Sequence, residues 1–194
     1  MNLLVLGPQG SGKGTQAARL ADERGIPHVS TGEMFRASIA ADTELGRLVE
    51  PYLASGELVP DALTVALIRE RLSEPDASVG FLLDGFPRNL AQAVALDTML
   101  AEIGRDLDLV LFFDLDYGIS VERLHRRAVE EGREDDTPEV IARRLEVYQE
   151  QTAPLVELYR ATGRLVPIHA ERTIDEVATE IAEALDLLEN GAAA

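Results

Sequence analysis

Apolar residues follow two alternating rhythms along the chain. Asn2-Leu3-Leu4-Val5-Leu6 is a short apolar run of the kind found in fully buried strands, and it stops at Gly7-Pro8-Gln9-Gly10-Ser11-Gly12, which cannot continue it. From Lys13 to about Arg24 the spacing turns helical, with Ala17, Leu20 and Ala21 on one face. Phe81-Leu82-Leu83 before Asp84 and Leu109-Val110-Leu111-Phe112-Phe113 before Asp114 predict two further buried strands. Leu165-Val166-Pro167-Ile168 predicts a short strand near an edge, where a proline is tolerated, and Pro27-His28-Val29 another short one. Between them the pattern predicts helices near 61–73, 89–103, 117–130, 138–161 and 174–188. Thr137 before Pro138 supplies a cap and a first-turn proline, and Thr173 with Glu176 a capping box. Strands alternating with helices predict a parallel sheet covered on both faces.

Two stretches break this rhythm. Residues 30–59 are helical by pattern but interrupt the strand alternation, opening on Ser30-Thr31-Gly32-Glu33, which matches a capping box. Residues 123–136 carry Arg123, Arg126, Arg127 and Arg133 among Glu130, Glu131, Glu134, Asp135 and Asp136, with almost nothing apolar. Both read as insertions beside a core made of 1–29, 60–122 and 137–194.

Composition narrows the possible functions. The 194 residues hold 18 Lys plus Arg against 35 Asp plus Glu, a formal charge of −17, which argues against a nucleic-acid partner because such affinity comes mainly from cations on phosphates. The 46% hydrophobic content is enough for a sizeable core. The longest apolar run, Leu109 to Phe113, falls far short of the ~20 residues that span a bilayer, so no membrane association and a cytoplasmic location are expected. With no cysteine, neither disulfides nor a thiol nucleophile is available, and no structural zinc is expected. Of the 18 basic residues only Lys13 is a lysine, so a site that needs a compact ammonium has a single place to find one.

That lysine ends Gly7-Pro8-Gln9-Gly10-Ser11-Gly12-Lys13, which matches a phosphate-binding loop and lies between a strand and a helix, where its mechanism needs it. Glycines let successive N–H groups face inward, the helix N-terminus adds positive potential, and the ammonium reaches the outer phosphates. Gly14 stands where the general motif has Ser or Thr, and Thr15 follows one position later; threonine at 15 also spoils the glycine pattern of a dinucleotide fold. Asp84-Gly85-Phe86-Pro87-Arg88 closes a buried strand, so its carboxylate is expected at the C-terminal end of the sheet, able to hold the Mg²⁺ of a nucleotide through water.

Four motifs together resemble the adenylate kinase family. They are residues 7–16, Ser30-Thr31-Gly32-Glu33-Met34-Phe35-Arg36, Gly56-Glu57-Leu58-Val59-Pro60-Asp61, and Phe81 to Arg88, in the family's order and spacing, with the likeness running from residue 2 to about 188. The shift of threonine to position 15 is what that family shows. The resemblance implies an α/β fold, a P-loop NTPase-like three-layer α/β/α core with a five-stranded parallel sheet, and it makes 30–59 the monophosphate-binding arm and 123–136 a short lid of the bacterial, metal-free type.

It further implies the reversible reaction ATP + AMP = 2 ADP with Mg²⁺ and a monomeric enzyme. Gly10, Ser11, Gly12, Lys13, Gly14 and Thr15 would hold the ATP phosphates, with Arg123, Arg127 and Arg172 on the same side. Arg172 stands where relatives often have a glycine whose backbone lies by the adenine. Thr31, Glu57, Leu58, Val59 and Gln92 would frame the AMP base; Arg36, Gly85, Phe86, Pro87 and Arg88 would line the AMP phosphate, and Arg133 and Arg144 would span both phosphoryl groups. Lys13, Arg88, Arg123, Arg127, Arg133 and Arg144 would act in catalysis. A UMP/CMP kinase of the same fold is the alternative, with Thr31 and Gln92 favouring adenine. The acceptor oxygen is already ionised at pH 7, so no general base is needed, and His28, His125 and His169 are expected to be ordinary surface or packing residues.

Overall fold

The computed structural model describes residues 1–131 and 137–191. Strands β1 (Asn2–Leu6), β2 (His28–Ser30), β3 (Phe81–Asp84), β4 (Leu109–Asp114) and β5 (Leu165–His169) form one parallel sheet in the order β2-β3-β1-β4-β5. Successive side chains alternate between its two faces. Leu3, Val5, Leu82, Leu109 and Leu111 therefore enter one core, under α1 (Lys13–Arg24) and α9 (Ile174–Glu189), which contribute Ala17, Leu20, Ile181 and Leu185. Leu4, Leu6, Phe81, Leu83 and Val110 enter the other, with Ile68 of α4 (Asp61–Leu72), Leu96 of α5 (Leu90–Glu102) and Leu155 of α8 (Pro154–Ala161). This double burial explains why β1 and β4 read as continuous apolar runs rather than alternating ones. Pro167 lies on the edge strand β5, as its missing N–H requires.

The predicted helix over 138–161 is divided. It becomes α7 (Pro138–Val147), a π-helical segment Tyr148–Thr152, and α8. Pro154 has no N–H and its ring cannot pack against the preceding turn, so the chain takes up an extra residue there: the Ala153 amide reaches the Tyr148 carbonyl at 2.8 Å. Within that segment the Thr152 hydroxyl donates to the Arg88 carbonyl at 2.7 Å.

Segment 30–59 forms α2 (Thr31–Ala40) and α3 (Glu44–Ser55) around a small core of Phe35, Val49 and Val59. The two helices cross so closely that a Cβ on Gly46 would stand 2.2 Å from the Ser38 carbonyl oxygen. The capping box matched at Ser30 does not form: Ser30 is still a strand residue, paired in register with Asp84, and its side chain makes no cap hydrogen bond. Thr173 and Glu176 do form both halves of theirs, and Thr137 caps α7 by accepting from the Val140 amide at 3.3 Å. Residues 123–131 continue α6 (Tyr117–Glu131), whose Leu124 packs on Ile141 and Leu145 of α7. Among the described residues no helix is long and apolar enough to cross a membrane.

Candidate active site

The carboxyl ends of β1, β2, β3 and β5 open into a cavity of about 600 Å³ at that edge of the sheet, the expected place for a ligand in an open α/β fold. Its middle is the loop after β1. Gly10 adopts φ +81°, and a Cβ there would stand 2.8 Å from the Ser120 carbonyl oxygen and 3.2 Å from Leu124, so the loop can sit this tightly on α6 only with glycine. The Ser120 hydroxyl donates to the Gln9 carbonyl across the same contact. Ser11 Oγ and Gln9 Oε1 are buried without a hydrogen-bond partner among the described residues, polar atoms that a ligand in the cavity can satisfy.

Lys13 opens α1 and folds back so that its Nζ donates to the Pro8 carbonyl at 3.0 Å. Removal from water lowers its pKa to about 8 against the pull of Asp84, with the charges of Arg88 and Arg127 lowering it further. Asp84 ends β3 in the cavity wall, nearly buried. Burial alone would raise its pKa, but the His28 ring and the Lys13 charge outweigh this and hold it below the usual carboxylate range. His28 Nε2 stands 3.4 Å from Asp84 Oδ2. His28 is expected from sequence to be an ordinary surface or packing residue; what brings it here is sheet register, since Ser30 lies opposite Asp84 and His28 two residues earlier shares its face.

A single carboxylate beside a phosphate cradle fits Mg²⁺, which keeps several waters and takes its remaining ligands from phosphate oxygens. No cluster of three or more His, Cys, Asp or Glu able to hold a metal by itself occurs among the described residues.

On one side of the loop, Thr31, Arg36, Arg88, Gln92 and Arg144 line the cavity, with Glu57, Leu58, Val59 and Gly85. Gly85 adopts φ +78°, and a Cβ there would lie 2.8 Å from Thr31 Oγ1 and 3.0 Å from an Arg88 nitrogen. The Thr31 hydroxyl donates to the Gly85 carbonyl at 2.9 Å, and Arg88 Nε donates to the same oxygen at 2.8 Å, so one carbonyl aligns two cavity-lining side chains. Burial lowers the Arg88 pKa against the attraction of Asp84, and the guanidinium groups of Arg144 and Arg36 lower it further, the mark of three cations brought together. Phe86 is wholly buried in the core and Pro87 is buried beside it; neither lines the cavity.

On the other side, Arg123 and Arg127 project from α6 at positions one turn apart. Arg123 donates to the Ala170 carbonyl at 2.8 Å, tying α6 to the loop after β5, where Arg172 also lines the cavity and pairs with Glu180 at 3.4 Å. Arg133, Asp135 and Asp136 lie outside the described residues. Arg126 and Arg143 make exposed ion pairs, Arg126 with Glu130 at 3.8 Å and Arg143 with Glu57 at 2.6 Å; Arg126 also lines the cavity, and the Arg143 pair ties α7 to the segment that follows α3. That second pairing joins residues 86 apart in sequence, beyond the reach of any local pattern. Among the described residues of a chain of charge −17, Lys13 and seven arginines thus line this cavity.

A family model described as adenylate kinase matches residues 5–164. The chain is 51% identical over 185 residues to an adenylate kinase of Thermobifida fusca (strain YX), covering 95% of this chain and 98% of that one. It is 48% identical over 186 residues to an adenylate kinase of Bifidobacterium longum (strain NCC 2705), covering 96% of this chain and all of the other. An adenylate kinase of Stenotrophomonas maltophilia (strain K279a) is 48% identical over 185 residues, 95% of this chain and 99% of its own length. With phosphate loop, arginine cluster and near full-length likeness in agreement, the chain belongs to the adenylate kinase family.

Proposed function

We propose that this protein catalyses the reversible transfer of the terminal phosphoryl group of ATP to AMP, giving two ADP. The observation that carries this reading is one cavity with two cationic ends on either side of the Lys13 loop: Arg123, Arg127 and Arg172 on one, Arg36, Arg88 and Arg144 on the other. A protein that bound ATP without a second phosphate substrate would have no use for the second set.

In this reading residues 10–15 cradle the ATP phosphates with backbone amides and the Lys13 ammonium, and Arg123, Arg127 and Arg172 flank them. Arg36 and Arg88 hold the AMP phosphate, and Thr31, the 57–59 backbone and Gln92 frame its base. Mg²⁺ arriving with the nucleotide would be held through water by Asp84 and would supply charge that neutralises the phosphates. An ionised AMP oxygen attacks the γ-phosphorus, the bond to the β–γ bridging oxygen breaks, and ADP leaves with the electron pair; no proton moves, so no general base is required. Catalysis rests on placing positive charge where the transferring group spreads its negative charge, before the reaction begins. Residues 123–136 form the lid and 30–59 the arm that keep water from the γ-phosphate. Arg133 keeps the bridging role that the family likeness implies. The enzyme is taken to act as a cytoplasmic monomer in AMP salvage.

Coupled detection of ADP from Mg-ATP with AMP, CMP or UMP at equal concentration tests this. Rapid ADP formation with AMP is expected. Faster turnover with CMP or UMP would assign the chain to the pyrimidine branch of the fold.

A further inference from the structure

The Gln92 side chain is held from behind by a network that the phosphate chemistry does not use. Gln92 is 1% exposed and lies in the cavity wall. Its Oε1 accepts from the Arg88 amide at 2.8 Å, and its Nε2 donates to Asp61 Oδ1 at 2.7 Å. The Asn89 side chain donates to the same Asp61 oxygen at 2.9 Å and accepts from the Gln92 amide at 2.9 Å. Asp61 opens α4 and Asn89 caps α5, so the carboxylate fastens the starts of two helices to one carboxamide.

These partners determine which end of the carboxamide is oxygen. A backbone N–H can only donate and a carboxylate can only accept, so a flipped Gln92 would set donor against donor and acceptor against acceptor. With one N–H and one lone pair taken, a carboxamide keeps one of each for a ligand. The Watson–Crick edge of adenine offers an amino donor beside a ring-nitrogen acceptor, and cytosine offers the same order. Hypoxanthine, guanine and uracil offer a carbonyl acceptor beside an N–H donor, the reverse order.

We propose that Asp61 is a positioning residue for base selection: by locking the Gln92 carboxamide it makes the acceptor site favour 6-amino over 6-oxo purines. The proposal rests on the reading that Gln92 faces the acceptor base. Asp61 itself does not line the cavity, so it acts only through Gln92.

The test compares AMP with inosine monophosphate, which has the same size and the reversed edge, as acceptors from ATP. The protein as it stands should prefer AMP. In Asp61→Ala the amide can turn at the loss of one partner instead of two, so the ratio of kcat/KM for AMP over inosine monophosphate should fall by about tenfold or more, through KM for the acceptor, with KM for ATP unchanged. Asp61→Asn keeps an oxygen for both donors and should restore most of the preference. An unchanged ratio in Asp61→Ala would overturn the proposal. Should that variant not fold, the Gln92 carboxamide protons of the wild-type protein decide by NMR. One should exchange slowly and ignore AMP while the other shifts on binding; two equally exposed, equally shifting protons would overturn it. A wild-type protein that forms no ADP at all would instead remove the phosphotransferase reading on which the proposal stands.

Discussion

The Lys13 ammonium donates to the carbonyl of Pro8 at 3.0 Å, so the cation of the phosphate loop is held by the loop's own backbone and faces Asp84. Its pKa, lowered to about 8 chiefly by removal from water, stands below the 10.5 of an ordinary lysine. Between those values the folded protein binds fewer protons than the unfolded chain, so this group makes stability rise with pH across the window. ATP phosphates favour the charged form and should pull a proton on. Calorimetry of ATP binding at pH 9 in buffers of different ionisation enthalpy should report proton uptake, with affinity falling as pH climbs above 8; no uptake at pH 9 would argue that Lys13 does not meet the phosphates.

The same lowered pKa makes Lys13 reactive. An amine-specific reagent has only this lysine and the N-terminal amine to modify, and Met1 lies far along the fold, beside Val79. ATP should protect one of the two sites in peptide mapping, with loss of activity following the Lys13 label. Labelling at Lys13 that ATP does not slow, with turnover intact, would contradict its placement.

Arg88 is aligned by the Gly85 carbonyl at its Nε and by Thr152 at its own carbonyl, beside Arg36 and Arg144. Arg88→Ala should lower kcat by about 10³ or more, on the scale seen for arginines that stabilise transferring phosphoryl groups. Arg88→Lys keeps the charge but not the planar fork, and should recover only part of this loss. Rates near wild type in Arg88→Lys would show that a point charge is enough.

The arm rests on α7 through Gly56 as well as through the Glu57–Arg143 pair. Gly56 adopts φ +77°, and a Cβ there would meet the Val140 carbonyl oxygen at 3.0 Å and Arg144 Cγ at 3.2 Å. Gly56→Ala should cost about 1–2 kcal/mol from the left-handed backbone alone and push the arm off its seat. Thermal unfolding should show the loss, and steady-state kinetics a raised KM for AMP with KM for ATP little changed. Equal effects on both substrates would mean that the arm does not serve the acceptor alone.

Much of this fold is legible from local chemistry. The strands at 2–6, 81–84 and 109–114 announce themselves because both sheet faces are buried, and the loop at 7–13 because its glycines and lone lysine have few other uses. The split at 148–152 had a visible signal in Pro154, outweighed by helical periodicity on both sides. Ser30 shows how a capping pattern gives way to sheet pairing when the residue is needed as a strand end. The approach of His28 to Asp84, the Arg143–Glu57 pair and the Asp61–Gln92 lock depend on register and helix crossings between distant segments. No window of sequence contains both members of any of them.

In the proposed reaction two nucleotides bind at once, phosphate to phosphate, across the Lys13 loop. Calorimetric titration with two adenosines joined through five phosphates reads this out in a single experiment. One molecule should bind per chain, far more tightly than ATP or AMP alone, and be displaced by either. Binding no tighter than ATP, two molecules per chain, or indifference to AMP would contradict it.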